Sequence, residues 1–279
     1  MRSAAAGSVR LNRPLAPGFR WLFARCARHA TACGSILILT ALLLVWEVAS
    51  RAGLIPRILV PAPTAIAVAL RVLVALPRFP SDVWTTTIET LSGFAIGAVL
   101  GIGIGLSMVY VKFLRRLLQP YVVAFQVVPK VTLAPLFVTF FGFGLLPKVV
   151  MAVVMAFFPV LVNVVTGLES VGEDETQLMR SLVASRWQIF SKLAWPAALP
   201  YIFAGLKTGL TLALTGAIVA EFVSAADGLG ALVMKFSSDL NVNLMFAAIV
   251  VNCVFGLSLY AILEFWEHRL VFWKHVSGD

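Results

Sequence analysis

IETLSGFAIGAVLGIGIGLSMVY, residues 88–110, carries one acid, Glu89, and no base. As a helix rising about 1.5 Å per residue it is long enough to cross a hydrocarbon core roughly 30 Å thick. A membrane barrel would alternate apolar and polar residues, and this run does not. Gly93, Gly97, Gly101 and Gly105 recur every fourth position and share one face, with Gly103 off it. Small residues at that spacing let a second helix come close. The face is therefore read as a helix-packing surface and not as a ligand site.

Five further apolar runs lie outward of this one: Gly34–Ser50, Gln119–Phe141, Lys148–Glu169, Leu199–Ala225 and Asn243–Phe265. Hydrophobic residues make up 60% of the chain and charged residues 13%, against about 25% charged in soluble domains. That leaves too little polar surface for a water-soluble globule of 279 residues, and too much Leu, Val, Ile and Phe for disorder. The expected fold class is an all-α membrane protein with about six transmembrane helices. Its parts are a basic segment 1–33, the first span 34–50, an outer connection 51–87, a core 88–265 containing a long connection 170–198, and a tail 266–279.

Lys and Arg favour cytoplasmic segments. With the N-terminus inside, fourteen of the 22 basic residues fall in inner segments and six in outer ones. The outer six include Lys148 at the edge of the fourth run. Lys130 and Lys207 fall within runs. Both termini are therefore expected in the cytoplasm, and the net charge of +9 reflects topology and attraction to lipid, not nucleic acid. The basic leader and first run could be a cleaved signal, but retention is the simpler reading with five runs following. Phe19–His29 suits either a basic helix on the inner leaflet or a loose tail. Cys26, Cys33 and Cys253 have no metal or disulfide spacing. His29, His268 and His275 lie outside the runs, so no metal ligand, bound cofactor or catalytic residue is expected.

In the outer connection, Val60–Pro63 stops the first helix, and Thr64–Ala75 is expected to lie along the outer surface. Residues 170–198 open with Gly172-Glu173-Asp174-Glu175, acids that favour a helix start. Gln177–Leu182 and Arg186–Ala194 can each form a short helix, and Pro196 and Pro200 mark the entry to the fifth span. Two short helices projecting from a tightly looped bundle suit a docking surface for a cytosolic partner. Lys130 stands mid-run beside Pro129, where charge is costly. It either helps an anionic solute pass, or snorkels or pairs with Glu89 or Glu221. Glu221 is expected at an outer gate or interface and not in a proton relay. Gln126, Thr132, Asn163 and Asn252 are either pathway groups or interhelical hydrogen-bond partners.

Residues 177–196 resemble the "EAA" coupling loop of ABC-importer permeases (E-A-A, three residues, G, nine residues, I-x-L-P). Gln177-Leu178-Met179 take the E-A-A positions, Val183 the Gly position, and Leu193-Ala194-Trp195-Pro196 the end. Ala184-Ser185-Arg186-Trp187-Gln188-Ile189-Phe190 and Pro196–Ile202 look like the nitrate/sulfonate/taurine-type branch. So do Leu59–Pro63, Pro129–Leu136, Phe141–Gly144, and Ala220-Glu221-Phe222 followed by Gly228-Leu229-Gly230. The likeness covers about residues 45–270.

The resemblance implies the type I importer permease fold in a bacterial inner membrane, with 51–87 periplasmic. It also implies a second permease copy, a cytosolic ABC ATPase dimer on the coupling loops, and a periplasmic or lipid-anchored solute-binding protein. Gln177, Arg180, Val183, Ser185, Arg186, Trp187, Gln188 and Pro196 would form the ATPase-coupling surface, with Trp and Arg as interface anchors. Gln126, Lys130, Thr132 and Glu221 are the candidate pathway groups. No Gly-rich Lys-Ser/Thr phosphate loop is present, so the chain is not expected to be an enzyme, and ATP is expected on the partner. The solute would be a nitrate-, sulfonate- or taurine-like anion, bicarbonate, or a pyrimidine-type vitamin precursor. An ion-coupled secondary transporter is the alternative, although no internal repeat supports it.

Overall fold

The computed structural model describes residues 34–35, 37–54, 56, 59–224 and 227–275. The basic segment 1–33, with Phe19–His29, Cys26 and Cys33, lies outside the described residues. The chain divides into two compact units, Met1–Thr64 and Ala65–Asp279. In the first, α1 covers residues 37–51, where the first apolar run was expected. Its Glu47 carboxylate accepts from Arg51 Nε at 2.5 Å, and from the Thr64 hydroxyl at 2.8 Å and backbone N–H at 3.1 Å.

α2 (Pro63–Val74) buries Ile66, Ala69 and Leu73, one helical stripe, and leaves Val68 and Val72 exposed. α3 (Phe79–Tyr110) starts nine residues before Ile88, so the connection expected to run to residue 87 is shorter. Pro80 and Asp82 in the first turn suit a helix start. The hydroxyls of Ser81, Thr85 and Thr87 donate to carbonyls three or four residues back, which lets this polar stretch stay helical without solvent.

The third run is not one helix. α4 (Lys112–Val127) and the segment Lys130–Phe141, a 3-10 turn leading into α5 (Ala134–Phe141), meet at 88°. Pro129 has no N–H to give and holds Val128 extended, with ψ 128. α6 (Leu145–Glu169), the segment Arg186–Ser224 and α11 (Val242–Leu270) are unbroken and, like α3, apolar and long enough to span. Among the described residues, then, four helices can cross a membrane, or five if the bent pair counts as one span.

Two corrections concern residues 170–198. α7 is Glu173–Ser181. It begins on the acidic residues themselves and not at Gln177. The second expected short helix is not separate: α8 (Arg186–Ile189) runs through a π-helical stretch, Phe190–Ala194, into α9 (Trp195–Ser224). Pro196 lacks the N–H that would bond back to Lys192 in this stretch, and the wider π turn absorbs the mismatch. The free connection therefore ends near Ser185.

α6 packs along both α3 and α9; α10 (Leu229–Ser238) packs on α9, α11 and α3. All four glycines of the α3 face lie against α6. A Cβ on Gly97 would stand 2.9 Å from Val153 O, and one on Gly101 3.0 Å from Phe157 O. Gly103, off the face, meets nothing. Because the obstacle is backbone, a large side chain there forces the helices apart. Gly97→Leu or Gly101→Leu is expected to cost about 1–3 kcal/mol and to lower the yield of folded protein by size-exclusion chromatography. Normal yield and thermal stability from both variants would contradict this packing.

Candidate functional site

At one end of the second unit, polar side chains from α3, α6 and α9 gather on the turn that starts α10. Asp82, Thr86, Glu89, Lys148 and Glu221 are all buried. Lys148 Nζ lies 2.8 Å from Glu89 Oε1 and donates to Asp227 O at 2.9 Å. The Glu221 carboxylate is within interaction range of the same pair. Three successive amides at the start of α10 are each capped by a side chain. Gly228 N–H donates to Asp82 Oδ1 at 3.0 Å, Leu229 N–H to Thr86 Oγ1 at 2.8 Å, and Gly230 N–H to Glu221 Oε2 at 2.5 Å. Thr86 in turn donates to Glu221 Oε1 at 2.6 Å. Negative groups there complement the exposed amides of a helix start.

Gly228 has φ 117, and a Cβ on it would run into the Glu221 carboxylate. Only glycine fits so close to the acid. Arg78 closes the outside of the cluster at 3.0 Å from Asp82 Oδ2 and 2.8 Å from Asp227 Oδ1. Its hydrogen bond to Asp82 pushes the guanidinium, already a strong base, further up.

Of the alternatives open for Lys130, pairing with Glu89 or Glu221 is not what the structure has. Lys148, expected at the outer edge of its run, is 3% exposed inside α6 and pairs with Glu89. Lys130 lies elsewhere: it donates to Gln126 O at 3.4 Å and stands 5.1 Å over the Phe158 ring. Glu221 is thus separate from the other pathway candidates. Asp82 and Thr86 were not singled out at all, and Lys148 was counted only as an outer basic residue. One signal was available, since Asp82, Thr86, Glu89 and Gly93 fall on one face of α3 and carry the glycine stripe on as a polar one.

The break between α4 and α5 opens on a cleft of about 440 Å³ lined by Gln126, Lys130, Val131, Met155, Phe158, Pro159, Val162, Asn163 and Leu212. Thr132 does not line it; its hydroxyl donates to Pro129 O at 2.7 Å and holds the turn. Asn163 donates to Pro159 O within α6, and Asn252 to Leu229 O across to α10.

At the other end of the unit, α7 ends in a Schellman motif. Val183 N–H donates to Arg180 O at 2.9 Å and Ala184 N–H to Met179 O at 3.0 Å, with Val183 at φ 57. Left-handed backbone is costly for a β-branched residue, so the position that is Gly in the coupling-loop pattern is one whose geometry asks for Gly. Ser185 then starts α8 with a capping box: its hydroxyl accepts from Gln188 N–H and the Gln188 side chain accepts from Ser185 N–H. Val183 is 90% and Trp187 70% exposed. Phe190 packs edge-on against Tyr110 of α3 at 5.7 Å, and lies 5.4 Å from Trp187 and 5.8 Å from Trp195.

Removing one partner of a buried ion pair strands the other charge, at about 3–5 kcal/mol. Lys148→Met is expected to lower the thermal stability of the purified protein on that scale. Lys148→Met with Glu89→Gln should cost less than the two single changes added. Strict additivity would show that the two groups do not act as a pair.

Over residues 97–272 the chain matches the family described as the binding-protein-dependent transport system inner membrane component. It is 33% identical to the riboflavin transport system permease protein RibX of Chloroflexus aurantiacus, over 87% of this chain and 91% of that one. It is 28% identical to the putative aliphatic sulfonates transport permease protein SsuC of Bacillus subtilis, over 86% and 87%. Among solved structures, a chain of the MetNI methionine ABC transporter in an inward-facing conformation superposes with TM-score 0.57 at 21% identity, covering 68% of this chain and 93% of that one. These likenesses lend no support to an ion-coupled secondary transporter. The chain belongs to the family of binding-protein-dependent transport system inner-membrane components, and is the membrane-spanning permease subunit of an ABC-type importer.

Proposed function

We propose that the α7–α8 surface is where a cytosolic ABC ATPase docks, and that ATP is bound and hydrolysed there and not on this chain. The observation that carries this reading is a patch of unburied apolar residues on a loop: Leu178, Leu182, Val183 and Trp187, all exposed, beside Arg180 and Arg186. Exposed side chains of that kind gathered on one short segment mark an interaction surface, and Trp and Arg are the usual anchors of one. Gln177, Ser185 and Gln188 shape the patch, and Pro196 lies in the first turn of α9.

Two copies of the permease, an ATPase dimer and a periplasmic or lipid-anchored solute-binding protein would complete the importer. The solute would cross beside the cleft of Gln126 and Lys130, with Thr132 holding the turn. The named solutes of the relatives, riboflavin and aliphatic sulfonates, differ in size and charge, and support no more than a small solute here: a nitrate-, sulfonate- or taurine-like anion, bicarbonate, or a pyrimidine-type vitamin precursor.

The distribution of Lys and Arg supports a topology with both termini on the cytoplasmic side of a bacterial inner membrane. Reporter fusions at positions 80 and 185 are expected to read outside and inside respectively. The reverse would overturn the map.

Replacing Arg186 and Trp187 together with Ala should abolish ATP-driven uptake in vesicles while leaving membrane insertion intact, since each anchor truncation typically costs about 2 kcal/mol or more. Val183→Gly relieves a strained backbone and should keep uptake while raising thermal stability by about 1 kcal/mol or more. Undiminished uptake by the double variant would remove the docking surface from this account.

A further inference from the structure

Three lysines stand in or at the ends of apolar helical segments of the second unit. Lys148 has Glu89. Lys207 has Glu267 at 2.5 Å and the Tyr260 ring at 5.4 Å. Lys130 has only the Gln126 carbonyl and the Phe158 ring, and among the described residues no carboxylate lies within ion-pair distance of it. A carbonyl and a ring face stabilise an ammonium but leave its charge in place. An uncompensated cation in hydrocarbon is costly, and such groups mark solute paths.

Its setting is also unlike that of the other two. Lys130 sits at the 88° break between α4 and α5, where irregular backbone is tolerated because it lines a cavity. The adjoining cleft of about 440 Å³ adds the Gln126 and Asn163 amides. One fixed positive charge flanked by two neutral amides is chemistry suited to an oxyanion.

We propose that this cleft is an anion subsite, in which Lys130 supplies the charge and Gln126 and Asn163 the orienting amides for the carboxylate, sulfonate or phosphate group of a passing solute. The assignment rests on the permease reading, which makes the cleft part of the route. It adds the charge class of what passes.

The same charge would also attract an anionic lipid headgroup or a carboxylate of a second copy, and the test separates these. The assembled importer, with Cys26, Cys33 and Cys253 replaced by Ser and Gln126→Cys introduced, is placed in phosphatidylcholine vesicles. The rates of labelling by a sulfonate-bearing and by a trimethylammonium-bearing methanethiosulfonate are then compared. The sulfonate reagent is expected to be favoured. Lys130→Gln should reduce the ratio by about tenfold, the scale of a unit charge a few Å away in a partly screened site, and Lys130→Arg should preserve it.

Equal ratios with and without Lys130→Gln would overturn the subsite, as they would if a partner's carboxylate already neutralised the lysine. A ratio that collapses when phosphatidylglycerol replaces part of the phosphatidylcholine would assign the anion to lipid and overturn the solute assignment. Labelling needs no ATP, so failure here leaves the docking surface standing, and loss of docking leaves this ratio unchanged.

Discussion

The close seating of α6 between two glycine-bearing faces is the constraint on which the second unit depends. On one side Gly93, Gly97, Gly101 and Gly105 of α3 meet its backbone and small side chains. On the other, α9 brings Gly205 against Asn163, Gly209 against Val160, and Gly216 against Met151 O, where a Cβ would stand at 2.7, 2.9 and 3.0 Å. Between lipid tails there is no hydrophobic force to hold helices together, so contact area at short range must supply the attraction. The seat also fixes the register of α6. Only in that register does Lys148 fall level with Glu89 of α3, Glu221 of α9 and Asp227 O before α10. The ion cluster is thus a consequence of the packing as well as a lock on it.

What was legible in the sequence follows from range. Apolar runs and their approximate ends are properties of consecutive residues, so most of the spans and the glycine spacing on α3 could be read directly. The pairing of Glu89 with Lys148 joins residues far apart in the chain, and nothing local chooses between Lys148 and Lys130 as the partner. Lys148 also stood near the edge of an apolar run, which argued for an exposed position. Inside the fold it meets Glu89 of α3 and the Asp227 carbonyl just before α10, tertiary contacts without a local signature.

The break at residues 128–130 was half legible. Proline announces an interruption, but a kink and a turn of 88° have the same local signal. The start of α3 was misjudged for the opposite reason: Ser81, Thr85 and Thr87 read as loop residues because their hydroxyls compete for backbone groups. Here those hydroxyls bond back to carbonyls of their own helix. The glycine face of α9 went unread because its spacing of four and then seven residues is less regular than that of α3.

The continuity of α8 with α9 changes what the loop can transmit. The stretch Arg186–Ser224 runs 39 residues, roughly 58 Å at the rise of an α-helix. One end carries exposed Trp187; close to the other, Glu221 is hydrogen-bonded to the amide that begins α10. A pair of separately hinged helices would dissipate a displacement at Trp187 in the joint between them. A single rod has no such joint. Its one irregular stretch, Phe190–Ala194, is braced where Phe190 meets Tyr110, Trp187 and Trp195. On the docking reading, a push on the α8 end would be carried along α9 to Glu221 and the Gly230 amide it holds, which would join movement at the loop to movement at the far end of the unit.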